Sequence, residues 1–341
     1  MNSVRDPSWD YCEAMLPRVS RTFALNIARL EGSLYRAVLI GYLLFRMADT
    51  LEDHPGLTEE EKVTALKGFS RLFRQKTPAE TFAAHIRALR SKLSGETPEE
   101  DLMTHGDRVF QCLASLPETY REIIGRAITE SALGMAEYQA RKGAAPRGIF
   151  QLENENDLTR YCYYVAGVVG KMLTELFCLE GDLKRFHATL TRYQIHFGIA
   201  LQMTNIIKDY PRDLERGWCF LPKTLTQRLR LSPEELAANR DSDRKAVNAD
   251  MIPRIIPHLD GAYRYIEAIP ISFKDIRMFC IIPFVLAYHT LAHLGRTLEE
   301  KLPRQQVHHL LKKSEAFCRS NASLKSDYES TLRDEAASNP W

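Results

Sequence analysis

Two short acidic stretches combine the residue types and spacing that could do chemistry. Asp49-Thr50-Leu51-Glu52-Asp53 ends one long apolar segment, and Asp209-Tyr210-Pro211-Arg212-Asp213 follows another, Phe197 to Ile207. Residues three and four apart share a helix face. Asp49 therefore falls beside Glu52 and Asp53, and Asp209 beside Asp213. Carboxylates this close repel one another unless a cation neutralises them. Two such clusters facing each other would hold hard divalent cations, and magnesium in particular is commonly shared with substrate phosphates.

Each cluster continues a polar stripe. Within residues 35–53 the stripe is Tyr42, Arg46, Asp49 and Asp53, set among Val38, Leu39, Ile40, Leu43, Leu44, Phe45, Met47 and Ala48. A helix that is apolar nearly all round is a buried one, so this stripe is expected to line an internal cavity and not open water. Gln202, Asn205, Asp209 and Asp213 form the second stripe; its structural alternative is a buried amide pair joining neighbouring helices. Pro211 removes one helical hydrogen bond and clashes with the preceding turn. The helix is therefore expected to end or kink near Asp209, with Arg212 adding a positive charge inside the cluster.

Between the stripes lies Tyr161-Cys162-Tyr163-Tyr164-Val165-Ala166-Gly167-Val168-Val169-Gly170. Each glycine costs a helix ~1 kcal/mol relative to alanine. The pair marks a kink, a close approach by a ligand, or tight helix packing, and spacing alone leaves these open. His289 and His293 stand four apart without the glutamate of a zinc-protease helix and read as core or surface histidines. There is no phosphate-binding Gly-rich loop and no Gly-x-Gly-x-x-Gly fingerprint.

The elements that must position these residues are helical. Apolar periodicity predicts helices over about 8–17, 20–30, 32–53, 59–75, 78–93, 98–114, 117–142, 155–178, 183–210, 233–238, 244–268, 273–298 and 304–331. Thr58 with Glu61, Thr97-Pro98 and Ser232-Pro233 supply helix starts, and Arg141-Lys142-Gly143 a helix end. Residues 143–154 and 211–232 read as the main non-helical connections. The result is an all-α chain, with one domain over 1–330 and a mobile tail over 331–341.

Composition narrows the function. The 341 residues are 45% hydrophobic and 26% charged, and 46 basic against 44 acidic residues leave a net charge of +2. That balance lacks the basic footprint of a nucleic-acid binder. Seven cysteines, an odd number without a Cys-x-x-Cys pair, read as reduced thiols of a cytoplasmic protein. The N-terminus shows no signal-peptide pattern. No uninterrupted apolar run reaches the ~20 residues of a membrane span; Phe279 to Leu294, interrupted by Pro283, His289 and His293, reads as a buried helix. Membrane contact is expected to be peripheral.

In this order the pieces resemble the squalene/phytoene synthase family of head-to-head prenyl synthases. The matching segments are SRTFAL (20–25), YLLFRMADTLED (42–53), YCYYVAGVVG (161–170), LQMTNIIKDYPRD (201–213) and FCIIPFVLA (279–287). YCYYVAGVVG and FCIIPFVLA look closer to the squalene-forming members. ERGWCFLP (215–222) is nearer the bacterial phytoene-forming side. Pro211, Arg212 and Lys208 depart from the usual second motif. The C-terminal membrane helix of eukaryotic members has no counterpart here, which implies a soluble bacterial-type enzyme.

The resemblance implies an isoprenoid-synthase helical bundle with a central cavity between two aspartate-rich motifs. The substrate would be farnesyl diphosphate, with magnesium (or manganese) held by Asp49, Glu52, Asp53, Asp209 and Asp213. Arg46, Lys208 and Arg212 would bind diphosphate, and Ser20 and Arg21 would belong to a flap over the site. Phe23, Tyr42, Tyr161 and Phe279 would stabilise carbocations through their ring faces, with Tyr161 assisting proton removal. NADPH would be bound near Gln202 and Asn205, and by Lys301 and Arg304. The same resemblance covers condensation without reduction, giving dehydrosqualene or phytoene. A non-catalytic relative would be expected to lose its metal carboxylates, and this chain keeps both clusters. A monomer is expected.

Overall fold

The computed structural model describes residues 6–75, 78–87, 89, 92–93, 95–146, 148–299 and 301–338. The chain divides into two compact units, residues 1–144 with 175–181, and residues 145–174 with 182–341.

The first unit contains α1 (Pro7–Val19), α2 (Arg21–Ile27), α3 (Gly32–Asp53), α4 (Glu59–Leu72), α5 (Pro78–Arg87), α6 (Pro98–Thr104), α7 (Gly106–Ser115) and α8 (Glu118–Ala144). The caps form where the sequence placed them. Thr58 and Glu61 make a reciprocal capping box at the start of α4, and Thr97 accepts from the Glu100 amide at the start of α6. The helix expected over 98–114 is broken at His105, whose backbone leaves the helical region (φ -111°, ψ 20°), and at Gly106, the first residue of α7, Met47 and Phe82 approach closely. A Cβ there would lie 2.4 Å from each of their side chains. Phe69, Phe73, Phe82 and Phe110 form an edge-packed aromatic core. From Ala37 to Glu52 only Tyr42, Arg46 and Asp49 escape burial, which is the stripe read from periodicity.

The second unit begins with β1 (Phe150–Gln151), α9 (Glu155–Cys162), a π-helical turn (Tyr163–Gly167) and α10 (Val168–Phe177), whose last three residues are counted with the first unit. A 3₁₀ turn (Gly181–Phe186) leads into α11 (His187–Glu215), β2 (Trp218–Cys219), α12 (Lys223–Leu229) and α13 (Pro233–Ala237). The last helices are α14 (Asp241–Ala268), α15 (Lys274–Thr297), α16 (Arg304–Arg319) and α17 (Asn321–Ser338). The strands β1 and β2 pair in parallel, Phe150 against Trp218. They lie within the two segments expected to be non-helical, and α12 was not anticipated. The tail expected from 331 is helical to Ser338, and residues 339–341 lie outside the described residues.

Pro211 does not end α11, which continues to Glu215. A lost hydrogen bond and a local clash cost a helix roughly 3 kcal/mol, and packing of α11 along α14 and α15 outweighs it. α15 is long and apolar enough to cross a membrane, with mean hydropathy 1.5, yet 78% of its apolar window is buried inside the fold. Arg277 on this helix is fully buried and satisfied by carbonyls. It donates to Ile266 O at 2.9 Å, Ile269 O at 2.6 Å and Cys318 O at 3.1 Å, and to Asn321 Oδ1 at 2.6 Å. One side chain thereby ties α14, α15 and the junction of α16 with α17.

His196 and His258 meet between α11 and α14, Nδ1 to Nδ1 at 3.1 Å. Burial lowers the His196 pKa, and burial together with His196 pushes His258 down to about 4. In the unfolded chain His258 titrates near 6.5, so the unfolded state binds the extra proton first on acidification. The stability held by the neutral pair is complete above pH 6.5 and is lost as pH falls through about 4. Because His258 keeps some solvent contact, we expect about 2–3 kcal/mol to disappear across that window. His258→Asn should flatten this part of the stability–pH curve measured by urea unfolding, and an unchanged slope would refute the assignment.

Candidate active site

The α3 stripe is a connected set. Arg46 Nη2 donates to Tyr42 Oη at 3.1 Å, and its guanidinium carbon lies 5.9 Å from the Tyr42 ring centre. Arg46 Nη1 stands 3.9 Å from Asp49 Oδ2, too far for a tight hydrogen bond. Arg46 Nε is buried without a hydrogen-bond partner. The Phe23 ring packs 5.5 Å from Tyr42 and stays 36% exposed, so the two rings extend the stripe as an aromatic wall. Ser20 caps α2 by accepting from the Phe23 amide at 3.2 Å, which fixes where that ring leaves the backbone. The Arg21 side chain lies outside the described residues.

The three carboxylates of the first cluster differ. Burial raises Asp49 to about 6, against the pull of Arg46 and with a further push from Asp53. Its side chain is 39% exposed, so solvent screening tempers this shift. Asp53 is exposed at the end of α3. Glu52 turns inward and is 6% exposed, and Gln139 on α8 donates to its backbone carbonyl at 3.2 Å. Burial, then Asp53 and Asp49, hold Glu52 well above the usual carboxylate range, with Lys62 pulling it back. Glu52 Oε1 is buried with no hydrogen-bond partner. The face open to a ligand therefore offers Asp49 and Asp53, with Glu52 behind them.

On α11 the stripe of Gln202, Asn205 and Asp209 keeps solvent contact, with Asn205 exposed and the other two half-buried. Lys208 Nζ bridges Asn205 Oδ1 at 2.9 Å and Asp209 Oδ2 at 3.1 Å, while Arg212 Nη1 lies 3.7 Å from Asp209 Oδ1. Asp213 is only 7% exposed and bonds Arg216 Nη2 at 2.5 Å. The second cluster is thus one accessible aspartate between two cations, with a second aspartate engaged by Arg216. Sequence reading missed Arg216, although its place three residues after Asp213 was a usable signal.

Tyr161 is 6% exposed and stacks on Phe220 at 4.5 Å, within an aromatic group that includes Trp218 and Phe150. The short strand pair supplies this support, and ERGWCFLP already held two of its rings. Phe279 is buried within α15. Lys301 and Arg304 are exposed, Arg304 opening α16. His289 pairs with Asp327 at 3.2 Å, and His293 is 9% exposed, so both are structural, as read.

The donor set of the first cluster is all oxygen and carries excess negative charge, which fits a hard cation such as magnesium. The buried, unpartnered Glu52 oxygen and the raised Asp49 agree with that fit. Among the described residues no three His, Cys, Asp or Glu side chains converge into a complete cage. A cation here would need phosphate oxygens and water to finish its shell, as magnesium commonly does.

The profile of squalene/phytoene synthases matches residues 16–313. Squalene synthase of Nicotiana benthamiana is 32% identical over 84% of this chain and 64% of its own length, and squalene synthase 1 of Arabidopsis thaliana 30% over 84% and 65%. The chain thus spans just under two thirds of the curated relatives it matches. The fold is shared with the complex of TcSQS with E5700, at a TM-score of 0.79 and 23% identity over 98% of this chain and 93% of that one. It is also shared with a ligand complex of a dehydrosqualene synthase, at 0.65 and 19% over 91% and 96%. The family profile matched over residues 16–313 of an all-α fold, with relatives 30–32% identical over 84% of the chain, makes this chain a member of the squalene/phytoene synthase family.

Proposed function

We propose that the chain is a squalene synthase. It joins two farnesyl diphosphates head to head through presqualene diphosphate and then reduces the rearranged cation with NADPH. The observation that carries this reading is the Tyr42–Arg46–Asp49 stripe, an arginine beside carboxylates on an otherwise buried helix. Relatives 30–32% identical that are squalene synthases support the choice within the family.

Magnesium, or manganese in its place, would be held at the first motif by Asp49 and Asp53 and at the second by Asp209, and by Asp213 only if Arg216 releases it; when bound it would neutralise charge on the departing diphosphate. Arg46 is loosely held by Asp49 and keeps a free Nε, so it can turn its planar fork to a diphosphate oxygen. Lys208 and Arg212 exchange Asp209 for phosphate as substrate binds. Phe23 and Tyr42 present ring faces to the allylic cation after the C–O bond breaks. Tyr161, clamped against Phe220, sits beside carbon and excludes water while the proton passes to the released diphosphate. Gln202 and Asn205 would lie near the nicotinamide, and Lys301 and Arg304 would contribute positive charge for the cofactor's phosphates. The enzyme acts in the cytoplasm as a monomer and touches a bilayer only peripherally, when its apolar product leaves.

Incubation with farnesyl diphosphate and magnesium, with and without NADPH, tests this directly. Squalene should form only when NADPH is present. A conjugated triene formed regardless of NADPH would make the protein a dehydrosqualene synthase, and hydroxysqualene would make water the quencher.

A further inference from the structure

A hollow of about 520 Å³ opens in the second unit, lined by Arg212, Asp241, Arg244, Leu298, Glu299 and Lys301. It brings together the last turns of α11, the first turn of α14 and the connection after α15, segments up to 89 residues apart in sequence (212 to 301). Three cations face it. Arg212 is exposed and reaches Asp209 only at 3.7 Å. Arg244 is half-buried and donates through Nη2 to Leu298 O, on a residue with a left-handed backbone (φ 61°). This contact holds the turn and fixes the guanidinium in place. Lys301 is exposed at the end of that turn.

Among the described lining residues the cations outnumber the carboxylates, Asp241 and Glu299. Glu299 lies 3.5 Å from His293, and Asp241 is an exposed acceptor in the first turn of α14. Cations beside a carboxylate acceptor suit a phosphate next to a sugar hydroxyl better than a bare carboxylate. The Tyr210 hydroxyl, close enough to Arg244 and Asp243 to feel their charges, is buried with no hydrogen-bond partner.

We propose that this hollow is a phosphate-binding site in which Arg212, Arg244 and Lys301 receive a phosphate ester or a diphosphate. It adds Arg212 and Arg244 to Lys301 and leaves Arg304, which does not line it, outside. It also gives Arg212 a purpose the acidic motif alone does not explain. The hollow and the second acidic cluster share that residue, so phosphate bound here draws Arg212 away from Asp209. The inference rests on the functional reading above only for the two sources of phosphate, the reduced cofactor and the pyrophosphate released by condensation.

Calorimetric titration of the whole protein in EDTA, which silences any metal-dependent diphosphate site, tests the proposal. The probes are inorganic pyrophosphate, NADPH and NADH. Pyrophosphate or NADPH should bind, and Arg212→Glu and Lys301→Glu should each weaken binding about tenfold or more, whereas Lys312→Glu, an exposed reversal on α16, should not. Arg244→Lys keeps the charge but loses the fork and should fall between them. NADPH bound at least tenfold more tightly than NADH identifies the cofactor phosphate as the source. Pyrophosphate binding without that preference identifies the free anion. Absence of binding by both phosphates, or affinities that ignore the reversals, overturns the proposal. Squalene formation alongside such a negative result leaves the functional reading standing. Charge-dependent binding without squalene does the opposite.

Discussion

Asparagine at Asp49 or at Asp209 should lower the proposed squalene-forming activity by about two to three orders of magnitude, the range seen when one preorganised electrostatic contact to developing charge is removed. Each replacement is nearly isosteric and sits on an accessible stripe, so melting should stay within a few degrees of wild type. The apparent magnesium requirement should rise in both variants. Glu52→Gln makes the contrast. Glu52 is buried and its charged form is disfavoured by its surroundings, so the amide should cost turnover less than about tenfold and should not weaken the fold. Initial rates across a magnesium titration decide the matter. Full turnover with an unchanged magnesium requirement in Asp49→Asn would remove the metal assignment. A loss in Glu52→Gln equal to that in Asp49→Asn would show that all three carboxylates act as one set.

Gly198→Ala should be among the most destabilising single substitutions in the second unit. A Cβ at this position of α11 would lie 2.1 Å from Ala166 O and 2.4 Å from Ala166 C, in the π-helical turn. At Gly170 on α10 it would lie 2.0 Å from Gln194 O. Both obstacles are backbone, so neither can rotate aside as a side chain would. Overpacking of this kind costs about 3 kcal/mol or more, which should appear as a melting point lower by at least about 5 °C. Gly125 on α8 serves as the control. Its nearest neighbour would be 3.4 Å from the added Cβ, an ordinary contact, and alanine is the better helix former by ~1 kcal/mol. Gly125→Ala should therefore match or exceed wild type. If Gly198→Ala melts with wild type, the close approach of the two helices is not what the glycine is for.

These glycines mark the boundary of what one-dimensional reading can reach. Two glycines in YCYYVAGVVG left kink, ligand and helix packing open, because a missing side chain does not say what fills its place. Helix packing accounts for Gly170 and, outside that segment, for Gly198, while Gly167 meets only the Tyr163 side chain of its own turn, and the wide turn at 163–167 presents the Ala166 carbonyl to α11. Pro211 is a similar case. Its local penalty is real, but contacts along α11 outweigh it, and the chain between Asp209 and Asp213 stays helical.

The α3 stripe, the helix caps and the all-α class followed from the sequence by itself, because each depends on spacing within one helix, and the period of 3.6 residues is set by backbone geometry. Five segments in their order, the two acidic motifs among them, also carried the family resemblance before any coordinates. Tertiary structure decided what those carboxylates are worth: Glu52 turned inward against α8, and Asp213 engaged by Arg216, leaving Asp209 between two cations. It also stacked Phe220 on Tyr161 and collected Arg212, Arg244 and Lys301 around one hollow. Burial and charge neighbours come from residues distant in the chain, and no local period encodes them.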